Sequence, residues 1–260
     1  MNQPLNRALI LAAGRGSRMG ELTNDQPKCL TEYQGRSLLD WQMDALKKAQ
    51  ISNITIVGGY RYEMLTNHDA AMVVNTRWAE TNMVGSMLCA DQFLSGGALI
   101  SYSDIIYSSD VVRSLRDASG DIVITYDTRW HELWKLRFDN PLLDAETFSV
   151  DTAGRLIDIG RRTDDLSEVN GQYMGLLKFS ERGWKQTKKV LDDLDQQSTD
   201  KLDMTSLLQF LIKNGEEIQT VPVAGNWFEF DSAADLALYN ALTGPSGSGD
   251  WWSYCDQGCD

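Results

Sequence analysis

The stretch that most restricts this chain is Leu11-Ala-Ala-Gly14-Arg15-Gly16-Ser17-Arg18-Met19, which continues the apolar run Arg7-Ala-Leu-Ile-Leu11. Such a run reads as a strand buried on both faces. A glycine-rich turn at its end lets bare backbone N–H groups curl around phosphate oxygens. Two common phosphate loops are excluded by particular residues. A dinucleotide turn needs a third glycine where Met19 stands, and a Walker loop ends in Gly-Lys-Ser/Thr, which is absent. What remains is a loop with two arginines, followed by Gln26-Pro27-Lys28. Arg15, Arg18 and Lys28 are three cations able to surround one nucleoside triphosphate.

The pattern around this loop alternates strand and helix. Residues 37–49 read as a helix capped by Ser37, with Leu39, Met43 and Leu46 on one face. Residues 54–57, 71–74, 98–101 (running out at Asp104) and 122–125 read as strands, and 85–93 as a helix. This predicts an α/β fold with a mixed, mostly parallel central sheet flanked by helices. After Tyr126 the pattern changes to a small β-rich lobe. Residues 148–150 and 156–159 flank Asp151-Thr-Ala-Gly154 as a glycine-turn hairpin, and 173–179 read as another strand. Helices are expected at 181–194, at 203–214 (stopped by Gly215) and at 232–242, with short strands at 218–223 and 227–230. One domain is expected over 5–243. Residues 244–260 have linker composition and a tail too short to fold alone, which leaves room for the chain to be one module of a larger fused enzyme.

Charge narrows the partners. With 24 Lys+Arg against 37 Asp+Glu in 260 residues, the net charge is −13. Such a surface repels nucleic acid and anionic membranes, so a bound phosphate must sit in a local positive pocket. No stretch approaches the ~18 apolar residues of a membrane span. The polar residues 1–7 are not expected to be a signal peptide. Cys29, Cys89, Cys255 and Cys259 are scattered, and His68 and His131 are the only histidines, so a zinc site is not expected. Reduced thiols and a cytoplasmic location follow as expectations.

The motif Leu-Ala-Ala-Gly-x-Gly-x-Arg-Met, with Pro27-Lys28-x-Leu30 after it, resembles the signature of nucleotidyltransferases that activate sugar phosphates and small phospho-alcohols. Sugar-phosphate members usually carry Leu-x-Pro-Leu-Thr after the arginine, whereas this chain has Met19-Gly-Glu21-Leu-Thr23. The segment from Asn75 to Ser86 is similar to one in bacterial phosphocholine cytidylyltransferases. Ser101-Tyr-Ser-Asp104 and Trp227-Phe-Glu229-Phe-Asp231-Ser232 look like the two metal-aspartate segments of that family. Gly171-Gln-Tyr-Met-Gly175 resembles the acceptor-side strand, closest to cytidylyltransferases of the 2-aminoethylphosphonate or hydroxyethylphosphonate type.

The resemblance implies a Rossmann-like nucleotidyltransferase fold with CTP as donor and Mg²⁺ shared by Asp104 and Asp231. It implies that Leu11, Ala12, Ala13, Gly14, Arg15, Gly16 and Ser17, with Asn82 and Ser86, meet the nucleotide. Arg18 would hold the β- and γ-phosphates, and Lys28 would bridge the α-phosphate and the incoming oxygen. Read singly, Asp104 and Asp231 could instead cap helices. The acceptor is a small phosphonate or phosphate ester. Trp130, Trp134, Tyr173 and Trp227 could box a quaternary ammonium or simply pack the core. Asp144, Glu146 and Glu229 could meet a primary ammonium. Arg129, Lys135 and Arg137 could meet the acceptor phosphonate or form a solvated face. A sugar-1-phosphate nucleotidyltransferase and an inactive nucleotide-binding relative are the competing readings, and a homo-oligomer is left open.

Overall fold

The computed structural model describes residues 5–243. Seven strands of the described residues form one sheet: β1 (Arg7–Ala12), β2 (Asn53–Gly58), β3 (Ala71–Val74), β4 (Ala98–Tyr102), β5 (Ile122–Asp127), β6 (Gln172–Phe179) and β7 (Gln219–Val223). Their order across the sheet is β7-β5-β6-β4-β1-β2-β3. All neighbours pair in parallel except β6, which runs antiparallel to both β4 and β5. The expected mixed, mostly parallel sheet is therefore present.

The central strand explains its own position. Ala8, Ile10 and Ala12 point into a cluster with Leu39, Met43 and Leu46, while Leu9, Leu11 and Ala13 point into a second cluster with Val84 and Met87. Side chains alternate across a strand, so only an unbroken apolar run serves helices on both faces. Helix Leu38–Lys48 covers the first face, and helices Met83–Cys89 and Met204–Lys213 cover the second. The expected hairpin is present as Glu146–Val150 paired with Leu156–Arg162, with Gly154 at φ +74° in its turn. Phe148, Leu156 and Ile159 seat it against Met204, Leu207 and Leu208.

Several expected elements shift. The helix expected at 85–93 is two, Met83–Cys89 and Asp91–Leu94, broken at Ala90. The helix expected at 181–194 ends at Leu191, and Asp195 then caps a short helix Gln196–Lys201, whose polar sequence carries no apolar stripe. Helix Trp130–Arg137 was not anticipated. Cys255, Cys259 and the tail expectations for 244–260 fall outside the described residues.

Ser37 caps its helix as expected, accepting from the Asp40 N–H at 3.0 Å. Ser37→Ala should therefore cost about 1 kcal/mol. That is a loss of about 2–4 °C in Tm for a domain of this size, read by thermal unfolding. An unchanged Tm would mean the cap is dispensable.

Candidate nucleotide site

Two short strands beyond the main sheet build the centre of the site. Ile105–Tyr107 pairs antiparallel with Trp227–Glu229, with Ile105 opposite Glu229. The pairing runs on as the Phe230 N–H donates to the Asp104 carbonyl at 2.8 Å. Asp104 and Asp231, far apart in sequence, thereby leave the same end of one ribbon. This removes the alternative in which Asp104 caps a helix, because the residues after it form a strand. Asp231 does not cap the closing helix either. Ser232 and Asp235 cap it reciprocally, and the Asp231 side chain points elsewhere.

Each flank of the ribbon is anchored. Gln42, fully buried on helix Leu38–Lys48, donates to the carbonyls of Tyr102 and Ile105, bracketing Asp104. Asp127, at the end of β5, accepts from the Gly225 N–H and from Trp227 Nε1. Neither residue was singled out in the sequence. Their signal, a polar residue inside an apolar pattern, becomes legible only when its partners are known.

The glycine loop lies across the ribbon. Gly16 sits at φ +71°, and a Cβ there would stand 2.7 Å from Lys28 Cβ, so only glycine lets the lysine cross beneath the loop. Thr23 Oγ and the Met19 N–H both bond the Gly16 carbonyl at 3.0 Å and pin the turn. Lys28 Nζ reaches Asp104 Oδ2 at 2.7 Å and Asp231 Oδ1 at 3.0 Å, while Arg18 Nη1 reaches Asp231 Oδ2 at 2.9 Å. Burial by itself would lower the Lys28 pKa, but the two aspartates outweigh it and raise the lysine above its ordinary value. Asp231 is likewise pushed up by burial but ends below the usual carboxylate range, chiefly through Lys28. Both groups are charged at neutral pH.

A cleft of about 250 Å³ opens over this cluster at the carboxyl ends of β1 and β4, the edge where open α/β sheets hold their ligands. Of the expected residues, Leu11, Ala13, Gly14, Gly16, Arg18, Lys28, Asn82, Ser86 and Asp104 line it. Trp78, Thr81 and Tyr102 line it too and were not singled out. Asn75, buried, donates to Thr81 Oγ1 at 2.8 Å and to Ser86 Oγ at 3.0 Å, holding that wall together. Ala12 turns its side chain into the core, Ser17 is exposed, and Arg15 bonds Asn24 Oδ1 at 3.0 Å.

The aspartates suit a hard cation. Asp104 Oδ1 is buried with no hydrogen-bond partner, an acceptor oxygen that solvent does not satisfy. Among the described residues no three His, Cys, Asp or Glu side chains converge as a metal site. Two carboxylates completed by phosphate oxygens and water are, however, a common Mg²⁺ arrangement.

The expected acceptor residues separate into two groups. Trp130, Trp134 and Trp227 are buried and pack in sequence at 6.0 and 6.2 Å, so they form core and not an aromatic box. The Arg137 side chain is wholly buried and bonded to Glu229 and Asp235, so it is no contact for an acceptor phosphonate. This ion cluster also occupies Glu229, whose carboxyl is pushed up to about 7 by burial and by neighbouring Asp231. Asp144 is taken by Trp134 Nε1. Tyr173 stands edge-on to Tyr102 at 5.9 Å. Glu146 is half-buried, and burial, with Asp203 as a lesser cause, raises its pKa.

A glycine loop over a sheet edge, with Arg18, Lys28 and Asp104 lining one cleft and Asp231 paired to both cations, defines a nucleotidyltransferase. Residues 8–160 match the model of the MobA-like NTP transferase domain, and the chain belongs to that family. It is 37% identical over 248 residues to a CTP:phosphoglutamine cytidylyltransferase of Campylobacter jejuni, covering 89% of this chain and 98% of that protein. It is 25% identical to a 2-aminoethylphosphonate cytidylyltransferase of Lancefieldella rimae, over 92% of this chain and 94% of the relative. The inositol-1-phosphate CTP transferase structure from T. maritima superposes with a TM-score of 0.74 at 19% identity, covering 99% of both chains, which establishes the shared fold.

Proposed function

We propose that the protein transfers CMP from CTP to a small phosphorylated or phosphono acceptor that carries a cationic nitrogen, releasing pyrophosphate. The observation that carries this reading is the Arg18–Asp231–Lys28–Asp104 chain of ion pairs beneath the Gly16 loop. The relatives' names supply the donor and the acceptor class.

An oxygen of the acceptor's phosphoryl group attacks the α-phosphorus of CTP in line. The new O–P bond forms as the bond to the β-phosphate bridging oxygen breaks, and the electron pair leaves on pyrophosphate. The attacking oxygen is already anionic near neutral pH, so no general base is required. The site must instead align two mutually repelling anions. Lys28 exchanges its aspartates for the α-phosphate and the incoming oxygen, and Arg18 turns to the β- and γ-phosphates. Mg²⁺ held by Asp104 and Asp231 would neutralise charge on the phosphates. Of the acidic candidates for the acceptor nitrogen, Asp144 and Glu229 are already engaged, which leaves Glu146 as the proposed contact. A cytoplasmic location is part of this proposal.

Pyrophosphate release with Mg²⁺ tests the reading. CTP, UTP, GTP and ATP would each be paired with a phosphoglutamine, 2-aminoethylphosphonate, hydroxyethylphosphonate, phosphocholine and glucose-1-phosphate. Release with CTP and an aminated acceptor is expected. Turnover confined to glucose-1-phosphate would move the protein to sugar activation, and nucleotide binding without turnover would make it an inactive relative.

Glu146→Gln should raise the acceptor KM about tenfold, the size of one lost charge-assisted contact, and leave the KM for CTP unchanged. Equal effects on both substrates would remove Glu146 from the acceptor side.

A further inference from the structure

The cluster around Asp231 contains a cation that the cleft does not reach. Arg137, on helix Trp130–Arg137, has no exposed side-chain surface and lies 4.9 Å from the Trp134 ring centre. Its Nη1 donates to Glu229 Oε2 at 2.7 Å and its Nε to Asp235 Oδ1 at 2.9 Å. The other Asp235 oxygen accepts the N–H groups of Asp231 and Ser232 at 3.0 and 2.8 Å. The Asp231 backbone thus hangs from a carboxylate that Arg137 holds.

Asp104, Glu229, Asp231 and Asp235 share Lys28, Arg18 and Arg137. The three cations are not equivalent. The Arg18 side chain is 70% exposed and Lys28 lines the cleft, so both can turn to a triphosphate. Arg137 has nowhere to go, so its charge stays with Glu229 and Asp235.

We propose that Arg137 is a positioning residue for the nucleotide and metal half of the site. Through Asp235 it fixes the Asp231 backbone, and with it the carboxylate that Lys28 and Arg18 share. The proposal rests on reading the cleft as a CTP site and Asp231 as a metal carboxylate.

Arg137→Lys and Asp235→Asn break the bridge from either end, and the second keeps an oxygen for the Asp231 N–H. CTP binding would be measured by calorimetry across a Mg²⁺ titration. Melting temperature, and KM for the acceptor most active in the panel above, would be measured in parallel. Both variants should need about tenfold more Mg²⁺ for half-maximal CTP binding, the scale of a lost outer contact to a metal ligand. The acceptor KM should stay within about twofold, since neither residue meets the acceptor on this account. A raised acceptor KM with intact CTP binding would overturn the proposal. So would a lowered melting temperature with an unchanged Mg²⁺ requirement, or loss of fold in both variants. If the wild-type protein itself shows no Mg²⁺-dependent CTP binding, the reading of the cleft fails and the proposal falls with it. Normal wild-type binding matched by both variants defeats the positioning role alone.

Discussion

Lys28→Met is expected to lower kcat with CTP by about 10²- to 10³-fold, the range found when one donor to developing transition-state charge is removed. Methionine keeps most of the stem that passes beneath Gly16 but delivers no charge to the α-phosphate. In the resting protein the substitution leaves Asp104 without its cation and Asp231 with Arg18 alone, Lys28 now contacting both within 3.0 Å. Two adjacent partly buried carboxylates without their shared cation should lower the melting temperature, and added Mg²⁺ should restore part of it by replacing the missing charge. Steady-state kinetics and a thermal melt with and without Mg²⁺ read both effects. Near-normal kcat would remove Lys28 from the reaction.

Gly16→Ala should be nearly as damaging by a different route. An L-residue at φ +71° carries about 1–2 kcal/mol of left-handed strain. The new Cβ would also meet Lys28 Cβ and Cδ, both at 2.7 Å, and push the lysine off its aspartates. The expected result is a clear loss of melting temperature together with a kcat reduced by about 10²-fold, a displacement of about 1 Å at a reacting centre being enough for that. Gly14→Ala is the informative contrast. A Cβ at Gly14 meets nothing within 4 Å, so its melting temperature should not move. Equal destabilisation by the two substitutions would refute the packing account of Gly16.

The parts of the site that were legible in the sequence are the local ones. Leu11 to Met19 and Lys28 lie within one loop and its return, so spacing alone placed three cations near one turn. Asp104 and Asp231 were singled out through the family resemblance and not from their spacing. Roles that depend on distant partners were otherwise misread or left open. Arg137 sat in a run of basic residues, and only the fold reveals that Glu229 and Asp235 close over it. For Trp130 and Trp134 the sequence left a core stripe and a ligand box as alternatives, and the helix that sets them four apart decides for the core. Gln42 and Asp127 passed unnoticed for the same reason, since a buried polar side chain is explained by the backbone groups it satisfies.

The most direct test of the central claim is to follow the α-phosphorus itself. With α-³²P-labelled CTP, Mg²⁺ and an aminated phospho-acceptor, the account predicts that label appears in a new CMP-containing product, with one pyrophosphate released per labelled product. Release of orthophosphate from γ-labelled CTP, with the α-label left in CDP, would place the reaction at the wrong phosphorus and contradict the account.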